Sequence, residues 1–311
     1  MEMKTKLSLL LLLALVLVSY GQQDSQYSQY MYNTIAVNPA YAGSRESMSI
    51  FVLHRTQWTG FDGAPVTNVA SISAPINESK VGIGVSFVND RIGPSEESTI
   101  SADFSYTIPI SYSYKLAFGL KATANLLNID FTKLNIRDLN DYQFDSNIDN
   151  KFSPNVGVGL YLYSDTSYLG LSAPNLLQTK YFDRSAGTTN SSHVAIERVH
   201  FYLIGGHVID MNYRVKFKPT IQASLVQGAP LQVNLSANFV MNDKFVAGLS
   251  YRLSAAVSAM VGFQTSRSWF FGYSYDLETT RLSNYNSGSH EIFMRFEVFN
   301  RFNQMSSPRF F

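Results

Sequence analysis

The 311-residue chain carries 24 basic and 23 acidic side chains, with charged residues at 15% and aromatics at 14%. Near-neutral charge gives no electrostatic footprint for nucleic acid, and the absence of cysteine excludes disulfides, thiolate metal sites and cysteine nucleophiles. A charged share well under the roughly 25% of ordinary soluble domains leaves much apolar surface to be covered.

Residues 1–21 fit the plan of a signal peptide: Lys4 and Lys6, the apolar run Leu7 to Val18, then Ser19-Tyr20-Gly21 before a cut that makes Gln22 the first mature residue. The run is short for a membrane helix. Its removal takes two lysines and one glutamate, leaving 22 residues of each sign. The chain lacks cysteine, so lipoprotein attachment is excluded. After the cut no stretch approaches about 18 apolar residues, so no transmembrane helix is expected.

The mature chain alternates apolar and polar residues with a period of two. Leu116, Phe118, Leu120 and Ala122 interleave with Lys115, Ala117, Gly119 and Lys121; Tyr213, Val215, Phe217, Pro219 and Ile221 with Arg214, Lys216, Lys218 and Thr220. Leu231 to Met241, Phe245 to Tyr251, Trp269 to Tyr275 and Ile292 to Val298 repeat the pattern. Successive strand side chains point to opposite faces, so these segments are apolar on one side and wet on the other. The pattern predicts an all-β transmembrane antiparallel β-barrel of about fourteen strands, near 47–55, 65–74, 79–89, 97–108, 113–125, 153–163, 166–173, 197–210, 213–226, 230–241, 244–254, 256–265, 268–278 and 289–299. Segments 48–54, 166–173 and 199–209 alternate less cleanly.

Connection lengths favour a barrel, although two of the expected surface connections, Gln227–Ala229 and Ala255, are short. Pro75–Glu78, Pro109–Tyr112, Ser164–Asp165, Met211–Asn212, Asn242–Asp243 and Ser266–Arg267 read as short periplasmic turns; Thr56–Ala64, Asp90–Glu96, Leu126–Phe152, Pro174–Ile196 and Thr279–Gly288 read as surface loops. A soluble two-sheet sandwich also alternates, but this length would require two of them, and no Pro, Gly or Ser-rich linker marks a boundary. The expected organisation is a signal peptide at 1–21, a periplasmic segment at 22–46 by which the chain enters the barrel, a barrel at 47–299 and a C-terminal tail at 300–311.

Chemistry-bearing groups are sparse. Asp141, Asp145, Asn147 and Asp149 lie in one oxygen-rich loop, yet a calcium loop counted from Asp145 would need Gly and Glu where Asn150 and Val156 stand. The histidines His54, His193, His200, His207 and His290 form no metal or triad spacing. No cofactor, metal site or enzymatic activity is expected. Arg214, Lys216, Lys218, Arg252, Glu291, Arg295 and Glu297 fall on polar faces and point to the lumen, either lining a selective channel or pairing to fill it. Gly82, Gly84, Gly157 and Gly159 sit within strands, where glycine permits curvature or close backbone approach.

Two stretches are distinctive. Gln29-Tyr30-Met31 and Asn33 precede Asn38-Pro39-Ala40-Tyr41-Ala42-Gly43; after the first strand come Arg55, Gln57-Trp58, Gly60-Phe61 and Gly63-Ala64-Pro65. In these motifs and in its strand spacing the mature chain resembles the PorP/SprF family of outer-membrane proteins, linked to type IX secretion and gliding motility in Bacteroidetes. The resemblance implies a barrel in outer-membrane lipid that serves a secreted type IX substrate, a surface adhesin, as partner or anchor. It also implies contacts with periplasmic parts of the secretion machinery. Asn38-Pro39 favours a turn; Ala40, Ala42 and Gly43 allow tight packing where the chain enters the barrel. Arg55, Trp58 and Phe61 are expected in the first surface loop, as a cap, plug or docking element. The alternative function is an outer-membrane channel for small solutes or lipophilic compounds.

Overall fold

The computed structural model describes residues 27–45, 47–76, 80–134, 147–178 and 198–299. The signal peptide, Asp141 and Asp145, His193 and the C-terminal tail lie outside the described residues. Within them the chain folds into fourteen antiparallel staves: β1 Met48–Thr56, β2 Val66–Pro75, β3 Val81–Ile92, β4 Ser95–Pro109, β5 Lys115–Ile129, β6 Ile148–Tyr163, β7 Ser167–Ala173, β8 His200–His207 resuming as Ile209–Asp210, β9 Val215–Val226, β10 Gln232–Met241, β11 Phe245–Arg252, β12 Ala256–Gln264, β13 Trp269–Glu278 and β14 Ser289–Val298. Each stave pairs with its neighbours in chain order, and β14 returns to β1 over Met48↔Val298 to Thr56↔His290, closing the ring. Closure pairs backbone donors and acceptors where lipid offers no hydrogen-bond partner.

The alternating faces fall as the sequence predicts. Val85, Leu120, Leu171, Leu235, Leu249 and Ile292 point outward and are exposed, forming an apolar belt, while Lys121, Ser236, Ser250 and Glu291 on the intervening rows are buried. One end of the barrel carries tight turns. Asn242 and Asp243 both have positive φ, 52° and 54°, and Lys244 N–H donates to the Met241 carbonyl at 3.1 Å, the left-handed pair that suits a two-residue hairpin turn. Longer connections cluster at the other end, which is the outer end of such a barrel.

Three details depart from the sequence-based expectation. β3 and β4 continue through Asp90–Glu96 and are joined by Gly93-Pro94 alone. Polarity suggests a loop there, but the Thr67 hydroxyl of β2 donates to Asp90, and Asn89 Nδ2 donates to Glu96 across the β3–β4 hairpin, so polar side chains secure the extended strands. β5 and β6 likewise extend to Ile129 and from Ile148. β8 is interrupted at Val208; the flanking pairs Thr220↔Gly206 and Phe217↔Ile209 put Pro219, which has no N–H for a ladder bond, in the gap.

Candidate functional site

The lumen is filled by the chain's own N-terminal segment. From Tyr27 to Arg45 nearly every residue is buried, in three short helical turns, Tyr30–Tyr32, Thr34–Val37 and Pro39–Tyr41. The segment runs from the outer end, where Ser28 meets Asp276 and Glu291, to the inner end, where Gly43 N–H donates to Ser73 Oγ at 2.9 Å. The sequence suggests a periplasmic lead-in at 22–46; the described part, 27–45, instead lies inside the barrel.

The NPAYAG string explains how it fits. Asn38 Oδ1 accepts from Ala40 N–H at 3.0 Å and caps the turn, while Asn38 Nδ2 donates to the Leu160 carbonyl at 2.9 Å. Pro39 supplies a fixed φ at the first position of that turn. Ala40 and Ala42 are small because the wall is at backbone distance. A Cβ on Gly82 would stand 2.1 Å from the Ala42 carbonyl oxygen, and one on Gly159 would stand 2.1 Å from Asn38 Oδ1. Of the two roles the sequence leaves open for these glycines, close backbone approach is the one seen here. Tyr41 packs edge-on against Tyr161, ring centroids 5.5 Å apart.

Ionic clusters hold the segment at both ends. At the outer end Arg55, 1% exposed, reaches Asp276 at 2.7 Å and Glu291 at 2.9 Å. The Ser28 and Gln29 N–H groups each donate to Glu291 at 3.0 Å, so the plug supplies hydrogen bonds to the second carboxylate. At the inner end Arg45 pairs with Glu297, and Arg295 approaches the same carboxylate at 4.0 Å. Between them Tyr32 stacks near Phe270 and Phe293, centroids 5.2 and 4.9 Å away, with Lys218 Nζ 5.0 Å from its ring centre.

Arg55 therefore does not belong to the first surface loop. It continues the inward row Phe51, Leu53, Arg55 of β1. Asp276 and Ser28, which complete its surroundings, escape sequence reasoning; the available signal is the pair of acids Asp276 and Glu278 on the inward row of β13. Lys216, Lys218, Arg252, Glu291, Arg295 and Glu297 are buried or half-buried on inward rows, whereas Arg214 lies exposed in a turn, 4.9 Å over the Tyr213 ring.

Gln57, Trp58, Gly60, Phe61, Gly63 and Pro65 form a folded loop at the outer mouth. Gln57 N–H donates to the Pro65 carbonyl at 2.9 Å and Phe61 N–H to the Trp58 carbonyl at 3.0 Å. Trp58 adopts φ 45°, a costly value for a bulky residue. It is held by its N–H on Ser289 Oγ at 3.1 Å and its indole N–H on Glu278 at 3.0 Å. Thr59 exchanges backbone bonds with Gly288 and Ser287, both at 2.8 Å, and Gly93 N–H donates to the Gly63 carbonyl at 2.9 Å. The loop is thus tied to the β13–β14 connection on one side and to the β3–β4 turn on the other. The loop residues Thr56 to Ala64, with Val66, Arg91, Gly93 and Lys133, line an open cleft of about 360 Å³.

No group of three or more His, Asp or Glu among the described residues is placed to hold a metal ion. Ser167 Oγ and His207 Nδ1 lie 2.6 Å apart because those residues are paired across β7 and β8 at the inner rim.

A closed antiparallel ring with an apolar outer belt, tight turns at one end and longer loops at the other is a transmembrane β-barrel of the outer membrane, here carrying its own plug. The chain belongs to the PorP/SprF family: the profile described as type IX secretion system membrane protein PorP/SprF matches residues 19–296. It is thereby an outer-membrane component associated with type IX secretion. Among solved structures it is similar to the CymD monoaromatic hydrocarbon channel, at 14% identity and a TM-score of 0.51 over 90% of this chain and 95% of that one. The Acinetobacter baumannii outer membrane protein Omp33 aligns over 81% of this chain and 99% of that one, at 7% identity and a TM-score of 0.47. At such identities the likeness is one of fold. No curated protein matches the sequence.

Proposed function

We propose that this protein is a non-catalytic, plugged barrel that seats a secreted type IX substrate, a surface adhesin of gliding motility, on the outer membrane. The observation that carries the reading is the lumen packed from Tyr27 to Arg45 and clamped at both ends. A barrel whose interior is filled offers its rims as working surfaces. The outer rim presents a rigid loop built from the family motif, and loops on a rigid scaffold are where binding groups concentrate. The tight-turn end faces the periplasm, where partners from the secretion machinery would bind.

Deletion of the gene, followed by surface biotinylation of intact cells and peptide identification, tests the proposal. One exported surface protein should fall several-fold on the surface, while small-solute permeability stays at the parental value. An unchanged surface protein set, or a permeability loss as the main effect, would overturn it. The competing reading, a channel for small or lipophilic solutes, is the activity in CymD's name. It requires the plug to move, and stable conductance of the purified protein in planar bilayers would favour it.

A further inference from the structure

We infer that the free end of the plug, the mature N-terminus, leaves the lumen on the cell-surface side beside the Gln57–Pro65 loop, where an extracellular partner reaches it and the periplasm does not. The direction of the chain inside the ring carries this. As residue numbers rise, the plug descends the inward row of β14 in step. The Ser28 and Gln29 N–H groups bond Glu291. The Tyr32 ring packs on Phe293 at 4.9 Å and lies 5.6 Å from the Arg295 guanidinium. Arg45 pairs with Glu297. The chain then enters β1, whose Met48 stands opposite Val298 at the inner rim. Residues that precede Ser28 therefore continue outward.

The way back is closed. Asp276, Glu291 and Arg55, which hold Ser28, lie within two residues of the outer ends of β13, β14 and β1. The lumen below is taken by Tyr30 to Arg45, nearly all of them buried. Five residues, Gln22 to Gln26, lie between the expected cut and Tyr27. Fully extended they span at most about 17 Å, whereas β14 runs roughly 23 Å from Glu291 to Val298 at the inner rim. Ser289, on the same strand as Glu291, places the exit beside the motif loop, because its hydroxyl oxygen accepts from Trp58 N–H. At its inner end the plug is continuous with β1, so periplasmic machinery finds no free end to draw on. A partner that unseats the plug must begin at the outer face, where Ser28 and Gln29 are held.

The chain has no cysteine, so single introduced thiols report sidedness without background. Asp24→Cys marks the N-terminal residues, Asn284→Cys the outer β13–β14 connection and Asp165→Cys the inner β6–β7 turn, the last two at exposed positions. Each full-length variant is produced in the deletion strain, confirmed in the outer membrane by fractionation, and treated on intact cells with a membrane-impermeant maleimide, whose reaction with a thiol follows exposure. Asp24→Cys should react within about two-fold of Asn284→Cys, and Asp165→Cys about ten-fold less until the outer membrane is permeabilised. Peptide identification of the labelled protein should find Gln22 as its first residue. Reaction of Asp24→Cys only after permeabilisation, or at neither stage, overturns the inference, and so does a leader still attached. None of these outcomes bears on the seating role, which the surface protein set of the deletion strain decides.

Discussion

Gly119 on β5 and Ala40 in the plug touch backbone to backbone: a Cβ built on Gly119 would lie 2.1 Å from the Ala40 nitrogen. The wall cannot carry a side chain there while the plug keeps its place. Gly119→Ala should therefore destabilise the protein by about 1–3 kcal/mol, the usual range for overpacking. Heat-dependent unfolding in detergent measures the loss. The same variant should show conductance events in planar bilayers that the parent lacks. Gly205→Ala is the control, because its Cβ would meet ordinary contacts at 3.5 Å; it should shift stability by less than about 1 kcal/mol. Equal behaviour of the two variants would mean that the plug is not held by the glycine wall.

Arg55 is the only cation within salt-bridge distance of both Asp276 and Glu291 among the described residues. Arg55→Met keeps volume in the lumen but leaves two carboxylates buried beside each other. Removing one member of a buried ionic cluster typically costs about 3–5 kcal/mol, and the hydrogen bonds from Ser28 and Gln29 to Glu291 would lose their anchor. The variant should unfold at lower temperature, and protease added to the purified protein should cut between Tyr27 and Arg45. Arg55→Met combined with Asp276→Asn and Glu291→Gln should recover part of the loss. No recovery in the triple variant would show that packing, not charge, dominates at this position.

Asp130 caps the short turn Phe131–Lys133 beside the outer cleft. Hydrogen bonding from the Thr132 hydroxyl, chiefly, holds its carboxyl below the ordinary aspartate range, with Lys133 adding a smaller pull. A depressed folded value means that the stabilisation is present above the unfolded value, about 3.9, and is lost as pH falls through the folded one. Amide exchange at Thr132 and Lys133 should thus be insensitive to pH-driven opening from about pH 7 to about pH 5 and become less protected below the ordinary aspartate value. Asp130→Asn should remove that transition. A loss of protection centred above about pH 5 would contradict the assignment.

Much of the ring was legible because one face of each stave meets lipid. Leu235 and Ser236 separate by face on polarity alone, and the register comes with that separation. The segments that alternated poorly are those whose inward rows pack on the plug: Phe51 and Leu53 in β1, Tyr168 in β7 and Ile204 in β8. Apolar residues on both faces erase the period, so the same contacts that secure the plug hid it from view. Arg55 stands at the predicted end of the first strand, and the sequence reads it with the loop because only its pairing with Glu291 shows that it still belongs to the inward row. Asn38 to Gly43 announced a tight turn, but two-residue periodicity carries no information about what occupies a lumen.

Leu235 points out of β10 within the apolar belt and is 45% exposed there, while Tyr213 points out at the inner turn and is 87% exposed. If the outward face meets hydrocarbon, a charge should be costly at the first position and tolerated at the second. Leu235→Arg should destabilise the folded barrel by about 2–4 kcal/mol if the position lies near the bilayer midplane, and Tyr213→Arg by no more than about 1 kcal/mol at the interface. Reversible unfolding in lipid vesicles measures both. In a water-soluble β-protein the order would differ, because an exposed strand position accepts arginine with little change. Equal small effects would therefore deny the belt its contact with lipid, and with it the placement of the loop Gln57–Pro65 at an outer membrane surface.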